Sequence, residues 1–252
     1  MSDTKLAVVI GGANGIGAAC CELMAQRGWQ VVVVDLDEAR AQRLATDIGG
    51  VGMSVDIRSM TSLESLAASI DRDLGPIGSL VVSAAAFQDR YAPDDFPDEL
   101  FRTVMEVNVQ GTFSANRVFG ARMVREGKGS IVNIASTVAH GSSPLHAYGP
   151  SKAAVVNLTR NFASQWGRFG VRVNSVSPGT TEVARVLQRP PGRYAADFRD
   201  HMALGRRVQP NEVAEGVEFL ASEKASAITG VDLLIDAGWL VASTWGLYGG
   251  VP

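Results

Sequence analysis

Tyr148 and Lys152 stand four positions apart in the run Tyr148-Gly149-Pro150-Ser151-Lys152. In a helix that spacing puts both side chains on one face, one turn apart. A free phenol titrates near pH 10 and is a poor base at neutral pH, whereas a nearby ammonium favours the phenolate. Bringing the phenol to about 7 takes roughly 4 kcal/mol of differential stabilisation, which the lysine and a bound cationic ring could share. The chemistry open to such a pair is proton exchange with a substrate hydroxyl. The same spacing also arises in a surface pair with an aromatic packing contact, so the reading depends on what converges with it.

A second group of residues is suited to phosphate. The run Gly11-Gly12-Ala13-Asn14-Gly15-Ile16-Gly17 follows the apolar segment Leu6–Ile10 and opens a helical pattern. Glycines between a strand and a helix allow positive φ and close backbone approach to a pyrophosphate. The helix start then offers free N–H groups and the positive end of its dipole. Asp35 ends the next apolar run, 18 residues beyond Gly17, near where a carboxylate grips the adenosine ribose of a dinucleotide. It would repel a 2′-phosphate: at 4 Å and an effective dielectric of 20, one charge pair is worth about 4 kcal/mol. The expected cofactor is therefore NAD rather than NADP. Asp37 reads as a helix cap, and Asp56 as either a turn residue or a bracket for the adenine.

These residues need elements to hold them. Short β-branched runs at Leu6–Ile10, Gln30–Val34, Val51–Val55, Leu80–Ser83, Ser130–Ile134, Val171–Val176 and Leu233–Asp236 read as strands. Helical patterns fall near 16–27, 38–47, 60–73, 98–126, 147–168 and 211–222. Near-continuous apolar strands alternating with helices predict an α/β fold: one Rossmann-type, doubly wound parallel sheet of about seven strands in a single domain spanning 1–252. The irregular segment 178–200 reads as a substrate lid, and the apolar, glycine-containing tail 239–252 as a cover for the pocket or a neighbouring subunit.

Composition narrows the function classes. Of 252 residues 46% are hydrophobic and 19% charged, with a net charge of −3, which gives no reason to expect nucleic acid or an anionic membrane as partner. Neither a signal peptide nor a spanning segment is visible. Cys20 and Cys21, adjacent on an expected helix, read as reduced packing residues, and the expected location is cytoplasmic. No cluster of His, Cys and carboxylates suggests a metal.

Along essentially its whole length the chain resembles the classical short-chain dehydrogenases/reductases. The resemblance rests on Gly11-x3-Gly15-x-Gly17, Asn108-Val109-Gln110-Gly111, Ser136, Tyr148-x3-Lys152, Pro178-Gly179, Ile228-Thr229-Gly230 and Asp236-Ala237-Gly238. It implies that Tyr148 is the general acid/base and that Lys152 holds the nicotinamide ribose and depresses the tyrosine. It implies that Ser136 steadies the reacting oxygen and that Asn108 anchors a water leading from Lys152 to solvent. The implied cofactor contacts are Gly11, Asn14, Gly15, Ile16, Asp35, Asp56 and Ile57 at the adenosine end. Ser83, Ala84, Ala85, Pro178, Gly179 and Thr181, with Tyr148 and Lys152, serve the rest. A homo-oligomer, commonly a tetramer in this family, is implied as well.

The sequence departs from the family pattern at four places. Ile10 stands where a threonine is usual, and Ser83-Ala84-Ala85-Ala86 where Asn-Asn-Ala-Gly is usual. The Ser136–Tyr148 interval is shorter by about one residue, and Val183 stands where a threonine usually lies near the nicotinamide amide, with Thr180 or Thr181 as possible substitutes. If Ala86 required positive φ it would cost on the order of 1 kcal/mol; the alternative is a slightly shifted loop.

The expected reaction is hydride transfer between NAD(H) and a small secondary alcohol or ketone such as a polyol, sugar, cyclic or aromatic alcohol. A 3-oxoacyl-thioester reductase is the alternative, and a non-catalytic nucleotide-binding homologue a more distant one. The candidate pocket residues are Val138, His140, Ser142 and His146, with Thr181 and the 183–200 segment; each histidine reads equally as a loop residue meeting water or backbone. Arg185, Arg189, Arg193 and Arg199 make that segment basic, so an anionic substrate group is an option, as is a solvated loop.

Overall fold

The computed structural model describes residues 5–188, 201–242 and 245. Seven strands form one parallel sheet in the order β3-β2-β1-β4-β5-β6-β7. They are β1 (Leu6–Ile10), β2 (Gln30–Asp35), β3 (Val51–Ser54), β4 (Ser79–Val82), β5 (Gly129–Ile134), β6 (Val171–Pro178) and β7 (Asp232–Ile235). The sequence-based boundaries are met to within a residue or two at most ends. β1 pairs with β2 from Leu6↔Gln30 to Ile10↔Val34 and with β4 from Ala7↔Ser79 to Ile10↔Val82.

The helices are α1 (Gly15–Gln26), α2 (Glu38–Ile48), α3 (Met60–Asp73), α4 (Asp98–Met105), α5 (Thr112–Glu126), α6 (Tyr148–Trp166), α7 (Ala184–Leu187), α8 (Pro210–Ala221) and α9 (Trp239–Ala242). Alternate strand residues face opposite layers. Val8, Ile10, Val32, Leu80 and Ile131 pack with Leu63 and Ile70 of α3, Phe119 of α5 and Ala163 of α6. Val9, Val31, Val33, Val81 and Val132 pack with Met24 of α1, Ala41 of α2 and Val217 of α8. Full burial of side chains of this size contributes about 1.5–3 kcal/mol each. That two-sided burial is why the strands read as unbroken apolar runs.

Local signals set the ends. Asp37 caps α2 by accepting from the Arg40 N–H, and Ser59 caps α3 by accepting from the Ser62 N–H. One expectation is corrected: the helix expected over 98–126 is not uniform. A π-helical turn, Glu106–Gly111, joins α4 to α5 and carries Asn108. Cys20 and Cys21 are buried and form no disulfide, and burial pushes the Cys20 thiol up to about 12.

The strand order reverses between β1 and β4: the chain moves outward to β3, then returns to the other side of β1. In such sheets ligands bind in the crevice beyond the carboxyl ends of the strands at this switch point. The glycine run after β1, the Ser83–Phe87 segment after β4, Ser136 after β5 and Gly179 after β6 all emerge at this end of the sheet.

Candidate active site

Tyr148 opens α6, and the residue that fixes this start is one the sequence reading missed. Ala147, at the N-cap, has no capping side chain. Gln88 supplies one from the loop after β4: its Oε1 accepts from the N–H of Ala147 at 2.7 Å and of Tyr148 at 2.8 Å. Gln88 is only 2% exposed, a polar side chain committed to holding this end of the helix. No motif flags it, because its partner groups are 60 positions away and belong to the backbone.

Lys152 lies one turn further along α6, fully buried, and its Nζ donates to the Ile134 carbonyl at 2.7 Å. That nitrogen is 5.5 Å from the centre of the Tyr148 ring. Ser136 hydrogen-bonds Tyr148. The helix is seated on the sheet by a buried amide pair: Asn116 and Asn133 bond reciprocally at 2.8 and 3.2 Å, and Asn133 also donates to Thr159 of α6.

Asn108 reaches the site as a side-chain clamp. Its Oδ1 accepts from the Ala86 N–H at 2.8 Å, and its Nδ2 lies 3.0 Å from both the Ala86 carbonyl and Ser151 Oγ. The side chain therefore clamps the loop after β4 to α6, through a serine that itself donates to the Tyr148 carbonyl. This clamp also answers the question of Ala86. Its φ is not positive, so there is no left-handed strain at that position.

The electrostatics depart from the simple pairing of tyrosine with lysine. Burial pushes the Tyr148 phenol above its usual value, while the charge of Arg185 and the hydrogen bond from Ser136 pull against that shift. Burial, followed by repulsion from Arg185, lowers Lys152 from 10.5 to about 7. Arg185 is thus a second cation, beside Lys152, that bears on the phenol. Its guanidinium lies 3.9 Å from the centre of the Phe87 ring, and Phe87 packs on Tyr148 at 4.6 Å between ring centres.

Two cavities meet at Tyr148. The first, of about 660 Å³, is lined by Gly11, Asn14, Gly15, Ile16, Asp35, Asp56, Ile57, Ser83, Ala84 and Ala85, and ends at Tyr148 and Lys152. Its features fit a dinucleotide. A Cβ on Gly11 (φ +79°) would lie 2.4 Å from the Ala84 nitrogen, and one on Gly17 2.0 Å from the Gly11 carbonyl oxygen. The glycines therefore let the loop pack closely on the segment after β4 and on itself. Asn14 makes no capping bond to α1, which leaves the first-turn N–H groups for phosphate oxygens. Asp35 accepts from the N–H groups of Ala13 and Asp37. At the same mouth Arg40 pairs with Asp37 and Arg58 with Asp56. Asp56 is thus both a turn residue, accepting from the Arg58 N–H, and part of the cleft wall.

The second cavity, of about 350 Å³, contains Ser136, Val138, Ser142, Tyr148, Pro178, Gly179, Thr180, Thr181 and Trp239. Pro178, Gly179 and Thr181, expected against the cofactor, line this cavity rather than the cleft, and the Thr181 hydroxyl is turned to the Gly179 carbonyl. Val183 lines both cavities and approaches Gly15.

Two expected pocket residues are corrected. His140 does not line the cavity: its Nε2 lies 2.7 Å from Asp232, a buried carboxylate of β7 that also accepts from Ser175 and Ser177. His146 packs edge-on against Phe96, outside both linings. Trp239 brings the start of the tail to the cavity wall. Arg189, Arg193, Arg199 and the tail residues 243–244 and 246–252 lie outside the described residues. Among the described residues no group of His, Cys, Asp and Glu could hold a metal, and no helix is long and apolar enough to cross a membrane.

Comparison with known proteins agrees with this architecture. A family model described as enoyl-(acyl carrier protein) reductase matches residues 11–240. The chain is 34% identical to D-threitol dehydrogenase of Mycolicibacterium smegmatis, over 95% of this chain and 94% of that protein. It is 37% identical to cis-4-hydroxycyclohexanecarboxylate dehydrogenase of Sinomonas cyclohexanicum, over 93% and 96% respectively. A crystal structure described as ribose-5-phosphate isomerase from Brucella melitensis superposes with a TM-score of 0.95 at 42% identity, covering 99% of this chain and 98% of that one.

Proposed function

Since the chain belongs to the short-chain dehydrogenase/reductase family, we propose that it interconverts a secondary alcohol and its ketone with NAD(H) as hydride carrier, with Tyr148 as general acid/base. The observation that carries this reading is the position of Tyr148, hydrogen-bonded to Ser136 at the junction of a dinucleotide-sized cleft and a smaller cavity.

Bound NAD supplies the hydride acceptor, or NADH the donor. Gly11, Asn14, Gly15 and Ile16 hold its phosphates, and Asp35 accepts from its adenosine ribose. Ser83, Ala84 and Ala85 wall the cleft between that end and Tyr148. In reduction Tyr148, kept protonated by burial, donates to the carbonyl oxygen, while Ser136 donates a second hydrogen bond that stabilises the developing charge. In oxidation the phenolate removes the hydroxyl proton. Arg185 and a protonated Lys152 favour that phenolate, and with Lys152 near 7 a modest gain in local negative charge suffices to keep the ammonium charged. Asn108 and Gln88 act as positioning residues.

Asp35 favours NAD, because Arg40 and Arg58, the cations at the same mouth, are already paired with Asp37 and Asp56. The relatives' names include both a polyol and a hydroxy acid among substrates. Isomerisation of a sugar phosphate, the activity in the Brucella protein's description, needs no dinucleotide, and the cleft beside Tyr148 favours redox chemistry over it. Exposed Phe101 and Phe113, on α4 and α5, support a homo-oligomer, with a second copy covering that face.

Steady-state assays of polyols, cyclic alcohols, hydroxy acids and 3-oxoacyl thioesters with each cofactor test the reading. Alcohol oxidation with a clear NAD preference is expected. NADP preference, thioester reduction alone, or isomerisation of ribose 5-phosphate without cofactor would overturn it.

A further inference from the structure

Asp232 is a carboxylate where packing alone does not call for one. It is the first residue of β7, the last strand of the sheet, and its side chain is 4% exposed. Ser175 Oγ donates to one of its oxygens at 2.5 Å and Ser177 Oγ to the other at 2.8 Å, both from β6 and both fully buried. The third partner stands 92 positions earlier in the chain: His140 Nε2 lies 2.7 Å from the oxygen that Ser177 also reaches. An ionised carboxylate only accepts, so Nε2 carries the hydrogen of this bond. A buried carboxylate persists only with such partners, and a charge-assisted bond fixes the direction of each donor.

The place of His140 in the chain gives the bond its consequence. His140 closes the short 3-10 turn Thr137–His140 that follows β5, and Ser136 is the N-cap of that turn. Ser136 Oγ accepts from the Val138 N–H at 3.4 Å, and the Ser136 carbonyl accepts from the Ala139 N–H at 2.9 Å. Ser136, Thr137 and Val138 line the cavity at Tyr148. Ala135 ties the front of the turn to β6 by donating to the Val176 carbonyl at 2.8 Å, and His140 ties its far end to β7. The turn is thus fastened at both ends to neighbouring strands, with the Ser136 hydroxyl between the two ties.

Resting on the oxidoreductase reading above, we propose that His140 is a positioning residue for the reaction: its bond to Asp232 holds the Thr137–His140 turn so that the Ser136 hydroxyl stays aimed at Tyr148 and at the reacting oxygen. A donor to a developing charge counts only in the right place, and a displacement on the order of 1 Å costs up to about 100-fold in rate. His140 lines neither the cavity nor the cleft, so it acts through Ser136 and not on the substrate. Its imidazole serves as a fixed donor, a task that a neutral amide of the same reach also performs.

The test compares His140→Gln, whose amide nitrogen reaches about as far as Nε2, with His140→Asn, whose amide falls short of Asp232, and with His140→Leu, which has no donor. Each is assayed for kcat, KM for NAD and the pH profile of kcat, on whichever polyol, cyclic alcohol or hydroxy acid the wild type oxidises best. The bond from Ser136 holds the Tyr148 phenol down, so loosening the turn moves the limb of the oxidation profile set by that phenol to higher pH. His140→Asn and His140→Leu are expected to lose about 10- to 100-fold in kcat, with KM for NAD within about 3-fold of wild type and that limb moved upward. His140→Gln is expected to stay within about 3-fold of wild type in kcat, with the limb in place. If His140→Leu does not fold, the two polar variants decide the matter between them. A loss of less than about 10-fold in His140→Asn overturns the proposal, as does a His140→Gln enzyme no faster than His140→Asn. A loss with an unmoved limb, or one expressed in KM for NAD, assigns the bond to stability or to the cofactor and also overturns it. A wild-type chain that oxidises none of these alcohols with NAD overturns the oxidoreductase reading itself, whereas an active wild type with indifferent His140 variants overturns the positioning role alone.

Discussion

Lys152 offers a test of the site's electrostatics that needs neither substrate nor cofactor. The residue is 2% exposed, and burial lowers its ammonium to about 7 in the folded chain, against an ordinary value of 10.5. At ~1.4 kcal/mol per unit, that difference sets a ceiling of about 5 kcal/mol on the cost of keeping the buried lysine charged. Below pH 7 both folded and unfolded chains carry the proton, and the folded state bears the whole cost. Above 7 the folded chain releases its proton while the unfolded chain keeps it, so stability rises with pH until about 10.5. The lysine alone should add roughly 1.4 kcal/mol between pH 6 and 8, and roughly 3 kcal/mol between pH 6 and 9. Lys152→Met keeps the length of the side chain and removes the proton. Urea denaturation of the two apo proteins at pH 6, 7, 8 and 9 gives the difference directly, with other titrating groups cancelling to first order. The variant should be the more stable protein at pH 6, and the gap should close as pH rises. A gap that is constant with pH, or that widens, refutes the burial argument for Lys152.

Other perturbations test other parts of the site. Asp35→Ser should reduce the NAD-over-NADP preference in kcat/KM by about 10- to 100-fold, a screened fraction of the charge repulsion at the ribose; an unchanged preference would remove Asp35 from the cofactor assignment. Gln88→Met leaves two N–H groups at the start of α6 without their acceptor and should cost about 1–3 kcal/mol of stability, together with a fall in kcat. Gln88→Glu keeps an acceptor and should recover most of the stability, while moving the basic limb of the pH–rate profile upward through its charge beside Tyr148. If Met and Glu behave alike in both measurements, Gln88 is not a positioning residue.

Much of the architecture was legible because parallel strands buried on both faces carry their signature in consecutive residues. The apolar run Leu6–Ile10 needs no partner to be recognised as a strand, and the glycines after it mark a turn by their own backbone freedom. Tyr148, Lys152, Ser136 and Asp35 were legible for a related reason, since each stands at a definable position beside a strand end or along one helix face. What stayed hidden depends on contacts between distant segments. Nothing local to Gln88 announces that it will cap α6, nor does anything local to Asn108 announce that its side chain will clamp Ala86. The π-helical turn that aims Asn108 has no period distinct enough to separate it from the helices on either side. His140 is close to Tyr148 in sequence but does not line the pocket. Its partner, Asp232, comes from the last strand and draws the imidazole to β7. The influence of Arg185 on the phenol was invisible for the same reason: it arrives through Phe87, almost 100 residues earlier in the chain.

The central claim is that Tyr148 transfers the proton in an NAD-linked oxidation. Its most direct test is Tyr148→Phe, with NADH binding measured by fluorescence titration and turnover measured on whichever alcohol the wild-type enzyme oxidises best. The account predicts NADH affinity within a few-fold of wild type and a loss of turnover of about 10²–10⁴-fold, the range of a general acid/base contribution. A Tyr148→Phe enzyme that turns over within about 10-fold of wild type while binding NADH normally would contradict it, because the proton would then be passing through another group.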